Sequence, residues 1–222
     1  AEAVAAHEHA LELRRRHLDA DDPAVADSLL NLGSALADTD RFDAADEALA
    51  EAERIVRARY GDRHPRVATA LHTHGIVSYR RGDYGTATSL LAAATELRAA
   101  ALPQAHPDLA KSHHDLGEVL LAASRPAAAL DEFASAVRLR AAAATPNHAE
   151  LANSLRGRGL AELELGRVPE AQATLAQSLE LRRPGTDAIA LAEFEFAYAQ
   201  ALAHTDPAGA LRLAKGAREA YA

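Results

Sequence analysis

The sequence contains no cysteine, methionine or tryptophan, and aromatic residues make up only 4% of it. A chain without cysteine forms no disulfide bond, no thiolate metal site and no cysteine nucleophile. No apolar run approaches the ~18 residues that span a bilayer, and the first residues lack the basic start and apolar core of a secretory signal. The missing methionine, also at position 1, predicts a fragment of a longer polypeptide or a processed product.

The chain is also short of positive charge. Its 24 Lys and Arg residues are outnumbered by 32 Asp and Glu residues, which gives a net charge of −8. Nucleic-acid binding proteins usually carry a basic face, and anionic lipid attracts clustered cations. We therefore expect neither a nucleic-acid partner nor a membrane partner, and we expect a cytoplasmic location.

What the chain does contain is an internal repeat of 42 residues without insertion or deletion. Three series of residues recur at this interval, a glycine (Gly33, Gly75, Gly117, Gly159), an alanine (Ala45, Ala87, Ala129, Ala171) and a large apolar residue (Leu49, Leu91, Phe133, Leu175). A fixed period of this size is typical of units stacked in a line. Such arrays bury their apolar residues between neighbouring units, so no central globular core is expected.

Each block is predicted to form two helices. The first helices are expected over 24–38, 66–80, 108–122 and 149–165, and the second over 43–60, 84–101, 126–143 and 168–183. Proline at the start of the first three first helices is favourable because its φ is already helical. The first helices should stop at Asp40, Gly82, Ser124 or Gly166, where a left-handed residue is needed. Asp83 can then cap the following helix through its side chain.

The repeated glycine lies in the middle of a helix, where glycine costs about 1 kcal/mol relative to alanine. Four such costs at one register indicate a steric cause, and the natural one is a neighbouring helix that passes too close for a Cβ atom. The repeated alanine should serve the same packing from the second helix. Serines that also follow the repeat (Ser28, Ser112, Ser154) are interpreted as structural.

The repeats define the expected domain organisation, a single array over residues 1–222. Residues 1–21 are predicted to be the second helix of a truncated repeat, followed by repeats over 22–63, 64–105, 106–147 and 148–185. Residues 186–222 are interpreted as a degenerate C-terminal capping repeat. Its last helix carries Leu211, Ala214 and Tyr221 on one side and Arg212, Lys215 and Glu219 on the other, which predicts the polar outer face that an array needs at its end.

The helical pairs, their small residues and the Gly82-Asp83-Tyr84 connection resemble a tetratricopeptide repeat. The 42-residue length and the His-Pro openings at His64 and His106 are similar to the kinesin-light-chain type. This resemblance covers nearly the whole chain. It implies an all-α fold, a right-handed α-solenoid or superhelix of about eleven helices.

The segment 191–202 also resembles the end of tetratricopeptide arrays in large bacterial signalling proteins, including some associated with serine/threonine kinases. The resemblance implies a scaffold for protein–protein interaction that holds a peptide or protein segment in a concave groove. Groove positions carried over from the family are polar in both halves of the chain: Asn31, Ser34, Thr69, His72, Thr73, Lys111, His114, Asp115, Glu118, Asn153 and Arg156.

The type of groove ligand is only partly constrained. In the co-chaperone subset of the family, Lys, Asn and Arg clamp a terminal carboxylate. Here Asp115 and Thr73 stand where such a clamp needs Asn or Arg, so no carboxylate clamp is predicted. Lys111, His114 and Arg156 could still offer donors to an acidic peptide.

Other functions are weighed against this hypothesis. The array could be a structural spacer, or it could self-associate through its N-terminal helix with no ligand in the groove. His72 and His114 occupy equivalent places, but zinc needs a further ligand, for which Glu118 is the nearest candidate. No phosphate-binding glycine loop or His-Glu-x-x-His motif is present. We therefore expect no metal, no cofactor and no enzymatic activity.

Overall fold

The structure is a computed structural model, and it describes residues 2–103, 106–145, 147–183 and 187–220. These residues form eleven α-helices and no β-strand, so the predicted all-α solenoid fold is confirmed. They divide into two compact units, Ala1–Gln104 and Ala105–Ala222. No helix within the described ranges is long and apolar enough to cross a membrane.

The first unit contains five helices. They are α1 (Glu2–His17), α2 (Pro23–Ala37), α3 (Phe42–Tyr60), α4 (Pro65–Arg81) and α5 (Tyr84–Ala101). The lone helix α1 packs on α2, α2 pairs with α3, and α4 pairs with α5. The two first helices of these hairpins, α2 and α4, also lie side by side, and α3 packs on α4.

The second unit contains six helices in three hairpins. They are α6 (Pro107–Ala122), α7 (Pro126–Ala141), α8 (His148–Glu164), α9 (Val168–Arg182), α10 (Ala188–Leu202) and α11 (Pro207–Glu219). Each hairpin packs on the next through its second helix, α7 on α8 and α9 on α10. The first helices α6, α8 and α10 are neighbours in that order.

Observed helix ends agree with the predicted ones to within two residues, and the turn chemistry explains why. Gly82 and Gly166 have φ of 87° and 73°, and Asp40 and Ser124 reach the left-handed region at 57° despite their side chains. Asp83 accepts a hydrogen bond from the backbone N–H of Thr86 at 3.0 Å. The predicted repeat boundaries at residues 105, 185 and 186 and the chain ends at 1, 221 and 222 lie outside the described residues.

The repeated glycines pack against the repeated large apolar residue of the same hairpin. A Cβ atom at Gly33 would lie 2.6 Å from Leu49 Cγ, and one at Gly159 would lie 2.5 Å from Leu175 Cγ. These contacts confirm the predicted steric cause, because real Cβ atoms do not approach carbon so closely.

The third hairpin, α6–α7, holds a larger residue in the same place. The ring of Phe133 is fully buried. A Cβ atom at Gly117 on α6 would lie 3.0 Å from this ring, and one at Gly157 on α8 would lie 2.4 Å from it. Phe133 is therefore enclosed by glycines on two helices.

The prediction that Leu211 lies on the apolar side of the last helix is wrong. Helix α11 buries Ala210 and Ala217, whereas Leu211 is 56% exposed. One residue turns a helix by about 100°, so burying Ala210 places Leu211 at the surface beside the polar residues. Tyr221, which was expected on the apolar side, lies outside the described residues.

Candidate functional site

The predicted groove residues of the second unit converge on one polar surface, formed by α6 and α8. Lys111, His114 and Glu118 lie on α6, where spacings of three and four residues place them on one face. Lys111 Nζ donates to Asp115 Oδ2 at 2.5 Å, and the Asp115 side chain is 10% exposed. We call this surface, with Arg156 of α8, the α6/α8 face.

His114 joins the two helices of this face. Its Nδ1 lies 3.3 Å from Ser154 Oγ of α8, and its Nε2 lies 3.6 Å from Glu118 Oε1. The edge of its ring contacts Phe133, with the ring centroids 5.7 Å apart. The side chain is 12% exposed, so a packed and hydrogen-bonded environment fixes its orientation.

Arg140 of α7 lies behind the face and ties α7 to α8. Its Nη1 donates to the backbone oxygen of Glu150 at 2.6 Å and to the hydroxyl of Ser154. Arg140 is 8% exposed. The charge of this buried cation is compensated only by a long ion pair, in which Glu150 Oε2 lies 3.6 Å from Arg140 Nε.

Burial and the neighbouring cations shift the pKa values of the face. Burial, and then the charge of Arg140, lower the pKa of His114 to about 4, although Asp115 opposes the shift. Burial and the nearby Asp115 carboxylate raise the pKa of Glu118, against the effect of Arg156. Burial also lowers the pKa of Arg140. At neutral pH His114 is therefore an uncharged group that can donate or accept a hydrogen bond.

Arg156 makes a cation–π contact with an aromatic ring. Its guanidinium carbon lies 5.4 Å from the centroid of the Phe194 ring of α10, and Arg182 of α9 lies over the same ring at 5.5 Å. Its ion pair with Glu193 is long, at 3.9 Å, and its side chain is 26% exposed. Its Nε is buried and has no hydrogen-bond partner among the described residues. Asn153 lies half-buried one turn earlier on α8.

The predicted residues of the first unit are arranged differently. The hydroxyls of Ser34, Thr69 and Thr73 donate to carbonyls of their own helices at 3.1, 3.4 and 3.0 Å. Asn31 is exposed, whereas His72 is buried. The three hydroxyls are therefore satisfied within their own helices, α2 and α4.

A metal ion and a serine nucleophile are both disfavoured at the α6/α8 face. His114, Asp115 and Glu118 could each offer one ligand atom, and these atoms lie within 4.8 Å of one another. However, Lys111 already binds Asp115, and the charges of Arg140 and Arg156 also reach this point, so three cations repel a divalent ion. Ser154 is fully buried, and a histidine with a pKa of about 4 is a weak base.

Several residues of the site were not predicted from the sequence, although the sequence contains a signal for one of them, Arg140. Arg140 precedes Ser154 by 14 residues, as Arg14 precedes Ser28, and Arg14 Nη1 donates to that hydroxyl at 2.6 Å. The interpretation of these serines as structural is thus correct for both pairs. No comparable signal pointed to Phe194, because its block departs from the repeat.

The fold and these contacts agree with a comparison of sequences. The sequence model of the tetratricopeptide repeat matches residues 1–58, 29–100, 67–142 and 108–183 in overlapping segments. The chain therefore belongs to the tetratricopeptide repeat family.

Several solved structures share this fold. A kinesin light chain protein of Podosopora anserina with nearly identical TPR-like repeats matches with a TM-score of 0.77 at 20% identity, covering 90% of this chain and 96% of that one. BtubC (BKLC) of P. vanneervenii matches with a TM-score of 0.83 at 16% identity, covering 99% and 90%.

A third similar structure is YrrB, described as a TPR protein with an unusual peptide-binding site. It matches with a TM-score of 0.61 at 20% identity, covering 98% of this chain and 93% of that one. At these identities the likeness shows the fold alone. A comparison with curated proteins gives no match.

Proposed function

We propose that this protein is an interaction scaffold that binds a peptide or protein segment on the α6/α8 face. The scaffold would serve as a module of a larger bacterial signalling protein in the cytoplasm. Tetratricopeptide repeats generally bind protein or peptide partners.

The observation that carries this proposal is the state of Arg156. A guanidinium group has five N–H donors in a planar fork; here its ion pair with Glu193 is long, at 3.9 Å, and the side chain is 26% exposed. A cation–π contact with Phe194 restrains the group before any ligand arrives, and a pre-organised receptor loses little entropy on binding. Lys111 and Arg140, in contrast, are already engaged by Asp115 and Ser154.

A random peptide display library provides the test. Peptides selected on the intact chain should lose binding when Lys111, His114 and Arg156 are all replaced by alanine, measured by fluorescence anisotropy. A matched control replaces Arg125 and Arg138, two exposed arginines at the start and on the outside of α7, and should leave the affinity unchanged. Equal binding by both variants would show that the α6/α8 face is not the site.

A second candidate function is self-association through α1, which one observation favours. Leu13 of α1 is 42% exposed, whereas Ile55, its equivalent one repeat later in α3, is fully buried. Another copy could cover this leucine. Sedimentation equilibrium of the chain and of Leu13→Asp decides the point, because association through α1 predicts an oligomer that the substitution dissociates. If the chain is a monomer at high concentration, self-association is excluded, and the spacer and ligand-binding hypotheses remain.

A further inference from the structure

Three polar side chains connect the interior of the second unit to the α6/α8 face. Arg140 of α7 donates to the hydroxyl of Ser154 on α8, and Ser154 Oγ lies 3.3 Å from Nδ1 of His114 on α6. Ser154 is fully buried, whereas the side chain of His114 is 12% exposed and forms part of the face. A continuous chain of hydrogen bonds across three helices therefore ends on His114.

The hydrogen-bond partners of Ser154 determine which nitrogen of His114 carries the proton. Arginine is a donor only, so Ser154 Oγ accepts from Arg140 and its own proton must go to another acceptor. Among the described residues, His114 Nδ1 is the acceptor within hydrogen-bond distance of this hydroxyl, and a buried hydroxyl proton without an acceptor is unfavourable. Ser154 therefore donates to Nδ1, and neutral His114 carries its proton on Nε2.

The Nε2–H donor of His114 lies beside an acceptor that it does not bind. Glu118 Oε1 is 3.6 Å from Nε2, which is beyond hydrogen-bond distance. The edge contact with Phe133 holds the imidazole in place, whereas the Glu118 side chain is 42% exposed. The face thus presents an N–H donor and a carboxyl acceptor side by side, and both can bind a ligand.

The charges around this pair favour an uncharged ligand group. Burial and the Asp115 carboxylate raise the pKa of Glu118, so the surroundings already disfavour negative charge at this point. A ligand carboxylate that accepted from His114 Nε2–H would add to it. A ligand cation at Glu118 would in turn be repelled by Lys111 and Arg156, whose charges reach the same carboxyl group. An amide has no net charge and offers both a C=O acceptor and an N–H donor.

We propose that the α6/α8 face binds an amide of its peptide partner: a C=O group accepts from His114 Nε2–H, and an N–H group donates to Glu118. Arg140 and Ser154 are positioning residues, because they fix the tautomer of His114 from behind. This inference rests on the proposed function and specifies what the face recognises. The two groups come either from one extended residue of the partner's main chain, whose N–H and C=O lie on the same side, or from the side chain of an Asn or Gln.

The tautomer can be measured without a ligand. A long-range ¹H–¹⁵N correlation spectrum of the labelled chain at neutral pH should show His114 protonated on Nε2 and not on Nδ1, assigned by the signals that His114→Gln removes. Ser154→Ala should shift this ring toward a mixture of both tautomers, whereas Ser28→Ala, at a serine that also accepts from an arginine, should leave it unchanged. An Nδ1–H tautomer or a charged ring in the parent would overturn the proposal.

Binding is tested with the tightest peptide from the display selection, resynthesised with fluorescein and measured by anisotropy. Glutamine is long enough to place an N–H donor near the position of His114 Nε2, whereas asparagine is one carbon shorter. We expect His114→Gln to bind within about twofold of the parent, and His114→Asn to bind roughly five- to tenfold more weakly through the loss of one hydrogen bond. Ser28→Ala should bind like the parent. Equal affinity of the Gln and Asn variants would overturn the proposal.

The amide itself is identified by chemical changes to the same peptide. Replacing each main-chain amide in turn by an ester removes one N–H group, and replacing each Asn or Gln by alanine removes a side-chain amide. One such change should weaken binding to the parent about fivefold and have little effect on binding to Glu118→Ala, as a double-mutant cycle detects. Whether the sensitive change is in the main chain or in a side chain identifies the source of the amide.

The outcomes separate this proposal from the proposed function. If no change in the peptide couples to Glu118, or if an acidic side chain of the peptide couples to His114, the face does not bind an amide here. Loss of binding by the triple alanine variant would still support the scaffold in that case. If the selection gives no peptide, or if the triple variant binds like the parent, both proposals are wrong.

Discussion

The enclosed ring of Phe133 allows a quantitative test of how the hairpins pack. Gly157 on α8 is in the middle of a helix, where alanine is intrinsically more stable by about 1 kcal/mol. Helix propensity alone thus predicts that Gly157→Ala stabilises the protein. The structure predicts the opposite, because a Cβ atom there would lie 2.4 Å from Phe133 Cε1.

The size of the effect follows from the lack of room on the far side of the ring. Carbon atoms are in optimal contact near ~3.5–4.0 Å, so the new methyl group overlaps the ring by roughly 1 Å. Phe133 cannot retreat freely, since Gly117 holds α6 close to the ring on another side. Overpacking of this kind costs about 1–3 kcal/mol, which exceeds the gain in propensity. Since the propensity gain offsets about 1 kcal/mol of this cost, we expect a net loss of up to about 2 kcal/mol.

Urea unfolding followed by circular dichroism measures the change. Gly85→Ala is the matched control, because Gly85 is also helical and its nearest neighbour would be Asp83 Oδ1 at 3.6 Å. That variant should be as stable as the parent or more so. Adding Phe133→Leu should make Gly157→Ala less harmful, which a double-mutant cycle detects. If Gly157→Ala matched or exceeded Gly85→Ala in stability, the close-packing explanation of the repeated glycines would be refuted.

Three further predictions concern the turns, the pH dependence and the buried arginine. Asp40→Gly should raise the free energy of unfolding by up to ~1 kcal/mol, since φ of 57° is unfavourable for a residue with a side chain; a loss of stability in urea would contradict this. The native pKa of His114, about 4, is below its ordinary value near 6.5, so the unfolded chain binds the extra proton between these values. The stability due to neutral His114 is therefore complete above about pH 6.5 and is lost as pH falls toward 4, by roughly 3 kcal/mol. His114→Gln should flatten this part of the urea midpoint–pH curve, and an unchanged slope would assign it to other groups. Ser154→Ala should lower the free energy of unfolding by about 1–3 kcal/mol, because it removes a hydrogen-bond partner of the buried Arg140. Ser28→Ala should lower it by less than about 1 kcal/mol, because its partner Arg14 is exposed. Equal costs in urea unfolding would contradict the role of burial.

Much of the fold could be predicted because the repeat supplies the same information four times. Glycine at one register indicated a close helix contact, and the structure identifies the contacting residue as the third recurring position, Leu49 and its equivalents. The left-handed turns at Asp40 and Ser124 followed from their alignment with Gly82 and Gly166. The backbone preferences of Asp and Ser alone would not have predicted a left-handed conformation at these two positions.

The site was less predictable, because it depends on contacts that do not repeat. The positions of Lys111, His114 and Arg156 came from the family resemblance, and the structure brings them together on one surface. The charge state of His114 depends on its burial and on Arg140, which belongs to a different helix. The exposure of Leu211 was also not predicted, since a rotation of one residue decides whether Leu211 or Ala210 is buried.

The size match between Phe133 and Gly157 limits how freely hairpins of this chain can be exchanged. Phe133 belongs to the α6–α7 hairpin, whereas Gly157 belongs to the α8–α9 hairpin. Two repeats before Gly157 the equivalent residue is Thr73 of α4, and two repeats before Phe133 the equivalent residue is the smaller Leu49 of α3. A duplication or graft that moved either hairpin alone would bring a phenyl ring against a branched side chain or leave a void. The third and fourth repeats are thus a co-adapted pair, to be inherited or transplanted together.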